Sequence, residues 1–170
     1  MKRIRGVILV AVAILVLFSE TFPAIASARE ARLVFDPNRH TLTYFSATGA
    51  RKVYRATGGA DWCPDIKRPC KTPAGTYRIG IKYGPKYRSK TYPLACYQPC
   101  KNGACKPKPA CGAAMPHFMK FAGKRFGIHA GTVSRNNSHG CIHVPSSVAR
   151  FLSDTLPIGT LVTVLPYIHR

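Results

Sequence analysis

Residues 126–144 read FGIHAGTVSRNNSHGCIHV, a stretch in which a single cysteine lies between histidines. Its apolar start predicts a short strand that ends at His129. The polar segment that follows is long enough to fold back, so that Cys141 can face His129 from the far side of a loop. Gly140, directly before the cysteine, allows the backbone a tight or left-handed conformation. The stretch therefore predicts a paired thiol and imidazole at a strand end.

This pairing has a chemical use. A thiol without assistance has a pKa of about 8.5 and is mostly protonated at neutral pH, whereas a neighbouring imidazole can take its proton and make it nucleophilic. The backbone N–H groups of Gly140 and Cys141, near a helix start, can stabilise an oxyanion. These features together predict acyl transfer.

The first 28 residues have the three parts of a secretory signal peptide. Lys2, Arg3 and Arg5 precede an apolar run, and Ala26-Ser27-Ala28 forms a cleavage site. The run is short for a membrane span, which needs about 20 residues. We expect residues 1–28 to be removed, no stable membrane span to remain, and residues 29–170 to form one domain.

The mature chain is strongly basic. Removing three basic residues and Glu20 from totals of 26 and 6 leaves 23 basic and 5 acidic residues, a formal charge of +18. Such a charge is typical of nucleic-acid binding, but export argues against that partner. An anionic polymer of the cell wall, a lipid headgroup or a carboxylate-bearing peptide suits an exported protein better.

Seven cysteines suit an oxidising compartment, where six can form three disulfides and one is left over. Cys63 and Cys70 flank a short segment and can close a small loop, and Cys141 is the expected free thiol. The other four lie in a Pro/Lys/Gly-rich stretch interpreted as a disulfide-stapled insertion at about residues 96–116: Cys96, Cys100, Cys105 and Cys111.

The remaining pattern predicts a mostly β, antiparallel domain. Residues 31–59 alternate apolar and polar side chains around turn signals, and residues 77–83 and 117–129 predict further strands, the latter joined through Gly123. One helix is predicted within residues 145–156, with Ser146 as its cap, and a terminal strand follows Gly159.

Four segments together resemble the L,D-transpeptidases, bacterial envelope enzymes with a histidine, a spacer and a Ser/Thr-His-Gly-Cys motif. They are IHAGTVSRNNSHGCI at 128–142, KTPAGTYRIG at 71–80, AAMPHFMKF at 113–121 and PIGTLVTVL at 157–165. The resemblance covers residues 31–166. It implies an L,D-transpeptidase-like β-sandwich with one helix after the catalytic cysteine.

The resemblance also implies roles for individual residues. Cys141 would be the nucleophile that forms a thioester with a peptidoglycan stem peptide, and His129 the general base, oriented by the backbone carbonyl of Ala130. His139 would shape the oxyanion site, with Ser138 and Gly140 holding the loop. The acyl group would pass to an amine, which makes a crosslink, or to water, which would give L,D-carboxypeptidase activity. No cofactor or metal is implied.

Two positions are assigned to substrate binding, His143 and His117. The family usually has arginine or asparagine where this chain has His143, so one fixed set of donors is replaced there. His117 lies in the matching segment ahead of the histidine strand.

Two other interpretations remain at this point. His129, His139, Cys141 and His143 are all zinc-ligand types, although they are more closely spaced than usual ligand pairs and a metal site gives no role to Gly140. A non-catalytic, basic envelope-binding protein is the other. The favoured interpretation is a monomeric enzyme, secreted across the bacterial inner membrane to the periplasm, that acts on peptidoglycan stem peptides and not on nucleic acid.

Overall fold

The computed structural model describes residues 30–92 and 112–168, in which eight strands and one helix occur. The helix α1 (Ser146–Thr155) lies between the last two strands. The strands are β1 (Arg32–Asp36), β2 (Thr41–Phe45), β3 (Arg51–Arg55), β4 (Gly75–Lys82), β5 (Met119–Phe121), β6 (Gly127–Ala130), β7 (Ile142–Val144) and β8 (Leu161–Val164).

The strands form one sheet in the order β3-β2-β1-β8-β4-β5-β6-β7. This confirms the mostly β class and the single helix after the cysteine within the described residues. The prediction of an antiparallel sheet is wrong at two places, because β1 pairs with β8 and β6 pairs with β7 in parallel. Parallel neighbours require a crossover connection, and the long segments between β1 and β8 and between β6 and β7 provide it.

The two ends of the sheet are joined by the backbone. Thr57, just after β3, donates its N–H to the His143 carbonyl in β7 at 3.0 Å, and the His143 N–H returns a bond to Thr57 at 2.8 Å. The sheet is thus nearly closed, and the segment after β3 lies against the strand that follows the cysteine.

The core lies between the sheet and the helix. Every second residue of β1 and β2 is buried, as the alternating pattern of these strands predicts. Leu33 and Phe35 on β1, Ile128 on β6, Ile142 on β7 and Leu152 on α1 are all fully buried. Each such side chain contributes about 1.5–3 kcal/mol through removal from water.

Alternation fails in β4. Ile79 is buried, but Ile81 is 48% exposed because the pairing with β5 shifts register between these two residues. Gly80 lies at the shift, where an added Cβ would come within 2.9 Å of the Ala122 backbone. The bulge lets β4 pair with β8 along its first half and with β5 along its second half.

Two local predictions about the cysteine segment need correction. The cysteine does not directly precede the helix, because the strand β7 lies between them and was too short to be recognised from its pattern. The helix begins after Pro145, which is the N-cap residue, and no side chain caps it, so Ser146 is the first helical residue and not the cap.

Some predictions fall outside the described residues. These are the signal peptide and the four cysteines of the predicted insertion, Cys96, Cys100, Cys105 and Cys111. Within residues 30–92 and 112–168, no helix combines the length and the apolar character needed to cross a bilayer.

Candidate active site

The parallel pair β6/β7 places Cys141 and His129 on one face of the sheet. Its register aligns Ile128 with Ile142, and both of these side chains point into the core. Side chains alternate along a strand, so the residues on either side of Ile128 and Ile142 face the other way. His129 and Cys141 therefore occupy diagonal positions on the outer face, a separation that an imidazole can bridge.

The hydrogen bonding of His129 fixes its proton. Its Nδ1 lies 2.8 Å from the carbonyl oxygen of Ala130, an acceptor only, so Nδ1 carries the hydrogen and donates it. Nε2 is then left with its lone pair. The Ala130 contact is the one implied by the resemblance, and it leaves His129 in the tautomer that a base needs.

Burial controls the charge state of both groups. The His129 side chain is 5% exposed, and loss of solvation, followed by the charge of His143, lowers its pKa to about 4. Burial raises the pKa of the Cys141 thiol to about 11, opposed by a hydrogen bond from the Gly127 backbone. At pH 7 the thiol and the imidazole are therefore both neutral.

Ser138 and Gly140 shape the turn before the cysteine. The Ser138 hydroxyl donates to the carbonyl of Cys141 and accepts the N–H of Gly140 at 3.1 Å. Gly140 has φ +106°, a conformation that residues with a Cβ rarely adopt. The Gly140 N–H is thus already bonded, and of the two predicted oxyanion donors only the Cys141 N–H remains a prediction.

A disulfide-closed loop lies against this turn. Cys63 and Cys70 are bonded, which confirms the predicted small loop, and Cys141 is the free cysteine of the described residues. The loop carries Asp65, whose two carboxylate oxygens accept the Nε2–H of His139 at 3.0 and 2.9 Å. That hydrogen bond is the main cause of a lowered Asp65 pKa.

Asp65 is a site residue that sequence reasoning missed. Its position inside a predicted loop of two cysteines gave no sign of its partner, because the loop and the turn that carries His139 are far apart along the chain. On its other side, the His139 ring stacks on Tyr92 with centroids 4.0 Å apart. His139 is therefore held from two directions.

His143 stands beside His129. Their ring centroids are 4.6 Å apart, and the His143 Nδ1 lies 3.2 Å from the Thr132 carbonyl. Burial lowers the pKa of His143. Gly131 provides the space for this ring, because a Cβ there would lie 2.6 Å from the His143 Cγ. Gly131 is a second residue that the sequence analysis did not single out.

The site opens into a cleft of about 830 Å³ that contains Cys141, His129, His139 and His143. One wall is aromatic and consists of three stacked rings. The ring centroids of Tyr83 and Tyr87 are 4.0 Å apart, and that of Phe118 lies 5.8 Å from Tyr83 and 5.6 Å from Tyr87. Such a wall suits the apolar parts of an extended peptide or a sugar ring. The cleft is thus large enough for a peptide of several residues.

Two predictions fare less well against this geometry. His117 is half-buried in a turn outside the cleft lining, with its N–H bonded to the Gly84 carbonyl. His129, His139, Cys141 and His143 do not form a group whose potential ligand atoms all lie within 4.8 Å of one another. Among the described residues, the group whose potential ligand atoms lie within 4.8 Å of one another is Cys63, Cys70 and His139, and there the two sulfurs are already bonded to each other.

Comparison with known proteins gives the relationship directly. The family model of the L,D-transpeptidase catalytic domain (YkuD) matches residues 30–164. The chain belongs to this family. The match includes every site residue described above, and the family membership predicted from the four sequence segments is confirmed. None of the curated proteins matches the chain.

Solved L,D-transpeptidases share the fold. One from Mycobacterium smegmatis has a TM-score of 0.59 at 20% identity, covering 81% of this chain and 59% of that one. One from Stackebrandtia nassauensis has a TM-score of 0.60 at 20% identity, and the match covers 81% of this chain and 56% of that one. One from Mycobacterium tuberculosis H37Rv has a TM-score of 0.58 at 17% identity, and the match covers 80% of this chain and 57% of that one. The chain therefore spans somewhat more than half the length of these L,D-transpeptidases.

Proposed function

We propose that the chain is an L,D-transpeptidase that acts on peptidoglycan stem peptides through a thioester on Cys141. One observation carries the proposal. Cys141 and His129 lie on the same face of two adjacent strands and open into the same cleft, with the His129 Nε2 left as an acceptor. Membership of the family supports the same chemistry.

The first half-reaction forms the thioester. The Cys141 sulfur attacks the carbonyl between the L-centre of the stem peptide and the following D-amino acid, while the His129 Nε2 takes the thiol proton. The carbon–nitrogen bond then breaks, and His129 returns that proton to the leaving amine. The sulfur now carries the acyl group and the imidazole is neutral again.

The second half-reaction transfers the acyl group. An acceptor amine, such as that of a diaminopimelate side chain, attacks the thioester carbonyl, and its proton passes through His129 to the departing sulfur. A new amide crosslink forms and the thiol is restored. Because the thiol and the imidazole are both neutral at pH 7, the thiol proton moves to His129 during the attack and not before it.

The proposal includes a location. Stem peptides lie outside the inner membrane, and the basic, apolar and small-residue parts of residues 1–28 support export with cleavage after Ala28. Mass measurement of the protein recovered from the cell envelope tests this point, because cleavage predicts a mature chain that begins at Arg29.

The decisive experiment incubates the mature protein with a defined disaccharide-tetrapeptide and identifies the products by mass. A crosslinked dimer supports transpeptidation, and a tripeptide with no dimer supports the L,D-carboxypeptidase alternative. Cys141→Ala should abolish the thioester adduct and leave the thermal unfolding temperature close to that of the parent protein. Absence of any adduct or product from the folded protein would favour the non-catalytic binding alternative.

A further inference from the structure

Five basic side chains line the cleft, and no acidic side chain of residues 30–92 or 112–168 does so. The basic residues come from the disulfide loop and its flank, from the segment after β4, and from the β5/β6 hairpin: Arg68, Lys71, Lys90, Lys120 and Arg125. Low-dielectric walls strengthen the field of such charges inside a cleft. The cleft therefore attracts anionic groups.

Lys120 lies on β5 and Arg125 in the turn between β5 and β6, the hairpin whose second strand carries His129. The register pairs Lys120 with Gly127, and the register of the next pair puts Gly127 beside Cys141. Lys120 lies between the buried Met119 and Phe121, so its side chain points to the cleft face. It faces Cys141 across Gly127, which has no side chain to separate them, at about 10 Å between backbones, or two strand spacings.

These two cations have no carboxylate partner among the described residues. Among the residues that line the cleft, Lys71 pairs with Asp61 at 3.3 Å, and His139 is hydrogen-bonded to the carboxylate of Asp65. Lys120 is half-buried and Arg125 is exposed at the hairpin turn. A carboxylate that entered the cleft would thus meet four cations without an ion pair among the described residues, of which Lys120 and Arg125 belong to the hairpin beside the strand that carries His129.

We propose that Lys120 and Arg125 bind the free side-chain carboxylate of the donor residue that carries the scissile carbonyl, so that the cleft selects donors with this carboxylate over donors in which it is amidated. The inference rests on the proposed function. It identifies Lys120 and Arg125 as the residues that recognise the donor, and the free, charged carboxylate as the form of the donor that they bind.

The chemistry of the donor determines that the free carboxylate is preferred over the amidated form. A diaminopimelate residue joined through one carboxyl has a side chain that ends in both an amine and a second carboxyl. With that carboxyl free, the side-chain end has no net charge and presents an acceptor for two charge-assisted hydrogen bonds. Amidation replaces the charged acceptor with a neutral amide, whose carbonyl accepts more weakly, and leaves a net positive end, which the cations repel. We expect about a tenfold preference, the size typical of one charge-assisted hydrogen bond lost.

The test compares two tetrapeptides that differ only in amidation of this carboxyl. The initial rate of thioester formation on Cys141 is followed by intact mass for the parent protein, Lys120→Gln, Arg125→Gln and Lys124→Gln. Lys124 is the matched control, because it is exposed on the same hairpin but does not line the cleft. We expect the parent and Lys124→Gln to prefer the free acid about tenfold, and the other two variants to lose most of that preference.

Each other outcome is informative. Equal rates with both tetrapeptides in the parent protein, or a preference that Lys120→Gln and Arg125→Gln retain, would overturn the inference while thioester formation still supports the proposed function. No thioester with either tetrapeptide would count against the proposed function itself. Raising the salt concentration should reduce the parent's preference without any substitution, so the inference stays testable if a variant folds poorly.

Discussion

At the scale of single residues, burial acts in opposite directions on the pKa values of Cys141 and His129. A histidine close to a cysteine is expected to lower the thiol pKa. Here burial raises the pKa of Cys141 to about 11 and lowers that of His129 to about 4, so both groups are neutral at pH 7. Under the proposed function, the thiol proton therefore passes to His129 while the sulfur bonds to the carbonyl.

This charge state predicts slow alkylation. At pH 7 we expect iodoacetamide to modify Cys141 about 300-fold more slowly than free cysteine, because a pKa of about 11 against about 8.5 leaves about 300-fold less thiolate. The rate should rise with pH until it levels near pH 11. Peptide mass mapping of the modified protein assigns the label to Cys141, with Cys141→Ala as the blank. Rapid labelling of Cys141 at neutral pH would contradict the burial argument.

At the scale of elements, β6 and β7 with their connecting loop form the working unit. Their register sets the diagonal of His129 and Cys141, and the loop end fits His143 against Gly131. The His143 ring is thus accommodated by Gly131, two residues after His129. The two positions are coupled through space, although they lie at opposite ends of the loop.

The coupling predicts a non-additive pair. Gly131→Ala should lower the free energy of unfolding by about 1–3 kcal/mol, because its Cβ forces the His143 ring from its place and breaks the bond to the Thr132 carbonyl. Gly131→Ala combined with His143→Ala should cost less than the sum of the two single changes. Urea unfolding measures all three variants. Gly84→Ala is the control, since open space surrounds Gly84, and a strictly additive result would remove the coupling.

The disulfide loop is the second element at the site. Replacing Cys63 and Cys70 together by serine should lower the free energy of unfolding by about 2–3 kcal/mol, because a short closed loop then gains entropy in the unfolded chain. The loss of Asp65 as a fixed partner should also slow thioester formation. Asp65→Asn separates the two effects, since it should slow the reaction while the unfolding free energy changes little. An unchanged rate in both variants would show that the His139 contact has no catalytic consequence.

At the scale of the whole molecule, burying neutral histidines links folding to pH. The unfolded chain binds a proton at His129 near pH 6.5, whereas the folded chain does so only near pH 4. Between these values the unfolded state holds more protons, so the stability is complete above pH 6.5 and decreases as the pH falls toward 4. His143, whose pKa is also lowered by burial, acts in the same direction.

We therefore expect the free energy of unfolding to fall by about 3 kcal/mol between pH 6.5 and pH 4 through His129 alone. Denaturant unfolding at a series of pH values measures this slope. His129→Gln should flatten it. A slope that His129→Gln does not alter would show that this histidine does not carry the linkage.

The local part of this architecture was readable from the sequence. The alternation of apolar and polar residues predicted β1 and β2, and helical spacing of apolar residues predicted α1. The length of the polar segment between His129 and Cys141 predicted that the two side chains face each other. Features that depend on distant partners were not readable: the parallel pairing of β1 with β8, the Asp65–His139 contact and the fit of Gly131 to His143. A three-residue strand such as β7 has too few positions to show a period.

The bonds between Thr57 and His143 also bear on how the protein behaves in concentrated solution. They occupy part of the outer backbone of β7, which would otherwise offer a template to a strand of another molecule. Among the described residues, the strand β3 at the other end of the strand order pairs only with β2, and it exposes Arg51, Lys52 and Arg55. Like charges on the β3 strands of two approaching copies repel each other. The edge of β7 is thus protected from aggregation by its hydrogen bonds to Thr57, and the edge of β3 by charge repulsion.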